Sequence, residues 1–104
     1  MQNGKPKFDI QIQKRAELEI DEISHYYESL SVDLGTKFYI ECSEYIDTLK
    51  DFPFFANKYN IIRNLPLKKF PYTVHFQVDE FENIVYIESI SCDYQNPAST
   101  RIKF

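Results

Sequence analysis

Two apolar stripes at helical spacing, separated by only three residues, constrain this 104-residue chain more than any other feature. Ala16, Ile20, Ile23, Tyr27 and Leu30 recur at intervals of three and four, as one face of an amphipathic helix requires. Leu18 falls off that stripe with no evident reason. Leu34, Phe38, Cys42, Tyr45, Leu49 and Phe52 form a second stripe, which Pro53 stops because proline cannot continue the ladder. Ser29-Leu30-Ser31 offers hydroxyls for the break and cap. Helices joined so tightly must lie antiparallel as a hairpin, and their stripes need a surface to cover.

The rest of the chain supplies that surface. Phe8, Ile10 and Ile12 alternate with polar residues across 7–13, the period of a half-buried strand. Residues 60–67 read as a second strand in which Pro66 implies a bulge or an edge position. Tyr72, Val74, Phe76 and Val78 alternate with Thr73, His75 and Gln77 in a third. Residues 84–91 form a fourth, apolar on both faces at its start as a central strand should be, and joined to the third by a short hairpin loop. The expected fold class is α+β: an N-terminal strand, an antiparallel helical hairpin, then a three-stranded antiparallel meander, with the hairpin packed on one face of the sheet. Residues 1–104 are expected to form a single domain.

Charge is distributed unevenly. Residues 16–51 hold ten acidic and two basic side chains, whereas 52–78 hold Lys58, Arg63, Lys68 and Lys69 and no acid. The net charge of -4 and pI near 5.1 speak against avid non-specific nucleic-acid binding. No apolar run is long enough to span a membrane and no secretory leader is evident, so the cytoplasm is expected, with Cys42 and Cys92 reduced. Glycine only at positions 4 and 35 rules out a phosphate-cradling loop. Glu22-Ile23-Ser24-His25 is half of a di-metal motif whose other half is missing, so neither metal nor cofactor is expected. Cys42 reads as a core residue.

One cluster could carry chemistry. Metal-free RNA cleavage needs a base for the 2′-hydroxyl, a cation for the charge developing on phosphorus and an acid for the leaving oxygen. His75, Arg63 or Lys69, and Tyr94 offer those roles if they converge on the open sheet face, to which the alternation directs His75. A lone surface histidine beside lysines and tyrosines that merely cover the sheet accounts for the same residues.

Three segments resemble the RelE/ParE toxin superfamily, over about residues 7–98. They are residues 16–27 of the first helix, the run Arg63 to Tyr72 read as R-x-L-x-L-x-x-F-P-Y, and Ile84 to Cys92 followed by Asn96-Pro97. The resemblance implies the toxin of a type II toxin–antitoxin module, neutralised by a co-encoded antitoxin protein. One branch of that superfamily cleaves mRNA on the ribosome and another poisons DNA gyrase; the long hairpin is more like the latter. Arg63 and Lys69 match its basic positions, but Cys92 and Gln95 stand where members often carry His and Arg. Lys58, Lys68, Lys69 and Tyr72 are the expected partner- or target-binding residues. Three functions follow as alternatives: a toxin acting through gyrase or translation, a non-toxic module of the same fold that binds an antitoxin or corepresses, and a metal-free mRNA endonuclease.

Overall fold

The structure, a computed structural model, describes residues 7–54, 57–59 and 61–94, the backbone alone at 57–59. The first alternating segment forms β1 (Asp9–Ile12), and the two stripes form α1 (Lys14–Leu30) and α2 (Leu34–Thr48). The break between the helices is capped by a carboxylate rather than by the serine hydroxyls. Glu28 accepts from Asp33 N–H at 2.9 Å and from Gly35 N–H at 3.0 Å, a negative charge at the N-terminus of α2. Ser29 Oγ instead donates back to the Tyr26 carbonyl at 2.6 Å. Gly35 is required by the approach of the helices, because a Cβ there would lie 2.3 Å from the Ser24 carbonyl oxygen. At its far end α2 stops at Thr48, ahead of Pro53, and the chain leaves through successive tight turns.

The remaining strands are β2 (Asn57–Tyr59), β3 (Ile62–Pro66), β4 (Tyr72–Asp79) and β5 (Ile84–Cys92). They form one five-stranded sheet in the order β1-β5-β4-β3-β2. The meander is antiparallel as expected, whereas β1 joins β5 in parallel and makes the sheet mixed. The hairpin is the crossover that returns the chain to the other edge in that orientation. The strand expected at 60–67 is shorter, and β2 precedes it. Pro66 ends β3 opposite Thr73; the irregularity falls in β5, where Glu88 has no partner between the pairs Phe76–Ile87 and His75–Ser89.

The core lies between the hairpin and one sheet face. Ala16 and Ile20 of α1, and Phe38, Cys42, Ile46 and Leu49 at α2, meet Leu65, Val74, Phe76, Val85, Ile87 and Ile90 of the sheet. Burying a side chain such as Phe38 stabilises by roughly 1.5–3 kcal/mol relative to leaving it in water. Tyr27, Phe38, Phe70 and Tyr72 extend this core as a ring cluster, mostly edge to face, with centroids 5.0 to 6.1 Å apart. The stripes outrun the sheet: Leu30 is 59% exposed and Phe52 64%. No helix among the described residues is long and apolar enough to cross a membrane.

Candidate functional site

Pairing parity places the expected cluster on two different faces. In an antiparallel ladder, residues directly opposite one another point to the same side. Leu65 faces Val74 and Arg63 faces Phe76, both partners fully buried under the helices, so Arg63 belongs to the helix side. There its guanidinium carbon sits 4.9 Å from the Phe54 ring centroid, and Nη1 donates to the Phe54 carbonyl at 3.4 Å. His75 faces Asn64 on the open side. The two therefore do not meet at one phosphate.

The other expected residues are dispersed. Lys68 and Lys69 are exposed in the β3–β4 loop. Their backbone N–H groups both donate to Glu41 Oε2 at 2.9 Å, so a buried carboxylate of α2 fixes the loop that presents them. Tyr72 is half-buried in the ring cluster. Its phenol is raised well above the ordinary range, by burial first and then by Tyr27 and Cys92. Tyr94, 79% exposed, follows the end of β5. The Lys58 side chain, Gln95 and Asn96-Pro97 lie outside the described residues.

On the open face His75 is held at both ring nitrogens. Nδ1 donates to Asn64 Oδ1 at 2.6 Å, which leaves Nε2 to accept from Ser91 Oγ–H at 2.6 Å. Burial lowers the imidazole pKa below its ordinary value. Glu19 and Asp93 oppose that effect and Arg15 adds to it. Thr73 with Asp93 (2.6 Å) and Gln77 with Glu88 (2.9 Å) extend the polar ladder on either side.

Beside this face a groove of about 800 Å3 opens along the edge of β5. β1 covers β5 only from Ile84 to Ile87, so the later part of the strand meets α1 instead. Glu19 Oε1 there accepts the Ile90 N–H at 2.8 Å and satisfies an edge donor. Arg15, Glu19 and Tyr26 form one wall, Ser91 and Cys92 the other, with Tyr72 and Tyr94 also lining it. Of the expected residues the groove gathers Tyr72 and Tyr94, and Ser91 links it to His75. Asn64, Ser91, Arg15 and Glu19 were not singled out from the sequence. Their polar positions alternate with core residues, but which of them meet depends on the register.

No family model matches the sequence, and no curated protein shows a significant match to it. Solved structures do. A chain of the chromosomal ParDE TA system from P. aeruginosa superposes with a TM-score of 0.73 at 18% identity, covering 83% of this chain and 96% of that one. A chain of the RelBE2 toxin–antitoxin complex from Mycobacterium tuberculosis gives 0.60 at 9% identity, covering 88% and 97%. A chain of the archaeal RelE–RelB complex from Pyrococcus horikoshii gives 0.56 at 13% identity, covering 86% and 99%. The chain has the fold seen in these structures.

Proposed function

We propose that this chain is the toxin of a type II toxin–antitoxin module, held inactive by a co-encoded antitoxin protein and acting on DNA gyrase rather than as a ribonuclease. The observation that carries the toxin reading is the likeness in fold to the ParDE chain over 83% of this chain and 96% of that one. Fold alone does not choose a target. The geometry around His75 supports the choice. A ribonuclease needs its base and a charge-steadying cation at one phosphate, and here Arg63 stands on the other side of the sheet from His75. The long hairpin, with helices of 17 and 15 residues, agrees with the gyrase-directed branch.

The antitoxin is expected to cover part of the basic 58–69 segment, including Lys68 and Lys69, with acidic and apolar side chains. Affinity for it should therefore fall as salt rises. Purified chain added to a gyrase supercoiling assay and to cell-free translation tests the target. Inhibited supercoiling with intact mRNA is the expected result. Cleaved mRNA would replace the gyrase reading with the endonuclease. Inhibition of neither would favour a non-toxic module that only binds its antitoxin.

A further inference from the structure

We propose that Ser91, His75 and Asn64 form a nucleophile, base and orienter, and that Ser91 attacks neutral esters with an apolar acyl group bound in the α1–β5 groove. This goes beyond the toxin reading and does not depend on it. A serine hydroxyl is a weak nucleophile unless an adjacent base takes its proton and a third group fixes the base. Both contacts needed are present in one line across β3, β4 and β5. Ser91 Oγ lies 2.6 Å from Nε2, and Nδ1 lies 2.6 Å from Asn64 Oδ1. The Asn64 oxygen sets the tautomer, so the lone pair of Nε2 faces the hydroxyl. Burial lowers the imidazole pKa, against Glu19 and Asp93, which favours the neutral ring whose Nε2 lone pair the relay uses. Ser91 itself is exposed and lines the groove.

The groove sets the substrate class. Its volume falls within the range of small-molecule sites. Ile23, Tyr26, Tyr72 and Ile90 give it apolar walls, whereas Glu19 and Glu22 make it hostile to a phosphodiester. Arg15 lines the same groove, bonded to Glu19 through Nε, and is the cation that would meet a developing oxyanion there. In the reaction Oγ bonds to the ester carbonyl carbon as its proton passes to Nε2. The carbon–oxygen bond of the leaving alcohol then breaks, and that alcohol takes the proton from the imidazolium. Water, deprotonated in turn by Nε2, attacks the acyl carbon; the acid departs and Oγ regains its proton. Ester and water become acid and alcohol.

A fluorophosphonate probe followed by peptide mapping tests this. Stoichiometric labelling at Ser91 is expected, lost in Ser91→Ala and slowed about a hundredfold or more in His75→Gln. Its rate should rise through a midpoint below the ordinary histidine value, and Asn64→Ala should displace that midpoint. Absence of label, label spread over the other surface serines, or a rate indifferent to His75→Gln would overturn the proposal. Should His75→Gln fail to fold, Ser91→Cys in a Cys92→Ser background reports instead through its alkylation rate against pH. The relay predicts a thiolate forming well below about 8.5; an ordinary thiol profile would overturn it.

Discussion

Arg63 lies directly opposite Phe76 in the β3–β4 ladder, and this one pairing turns its guanidinium toward the helices while His75, the next residue along β4, looks the other way. The arginine stacks on Phe54. Arg63→Ala should cost about 1 kcal/mol in urea denaturation, through the lost cation–π contact and stem packing. The same variant should leave the NMR titration of His75 in place. A displaced titration would show that the two residues act at one site.

Glu41 is the one buried charged residue among those described, and one of its oxygens, Oε1, has no hydrogen-bond partner there. Its other oxygen takes two backbone donors, so Glu41→Ala should cost about 2–4 kcal/mol by orphaning them. Amide exchange at Lys68 and Lys69 should accelerate with it. Unchanged exchange at those two amides would mean that something else holds the loop.

Gly35→Ala tests the helix approach. An added methyl 2.3 Å from a backbone oxygen forces α1 and α2 apart. We expect a loss of about 2 kcal/mol, equivalent to a Tm drop of about 10 °C for a chain of this size. A calorimetric Tm equal to that of the unmodified chain would show that the interface has slack.

Much of this was legible in the sequence because period alone encodes it. Phe38, Cys42 and Leu49 lie on a stripe and are buried; Val74 and Phe76 alternate and are buried. Leu18, off its stripe, is 51% exposed. Pairing was not legible. An uninterrupted β4–β5 ladder from Asp79–Ile84 would set His75 opposite Glu88. Because Glu88 bulges, Ser89 takes that place and Ser91 reaches the imidazole. A single extra residue decides whether the histidine faces a carboxylate or a hydroxyl, and no local propensity announces it. Leu30 and Phe52 failed for a related reason: a stripe shows which way a helix faces, but not how far the sheet extends beneath it.

Acid should weaken the fold through His75. Its folded pKa is below the unfolded value of about 6.5. The unfolded chain therefore binds the proton more readily, and the contribution to stability is complete above that value and lost as pH falls through the folded one. Urea midpoints should decline between pH 7 and 5, and His75→Gln should flatten the slope. A slope untouched by that substitution would assign the acid sensitivity to other groups.

The central claim is tested most directly by growth after tightly induced expression in a bacterial host, with and without the small open reading frame beside the gene. A working toxin predicts arrest that co-expression of the neighbour relieves. Normal growth at confirmed soluble expression would contradict it.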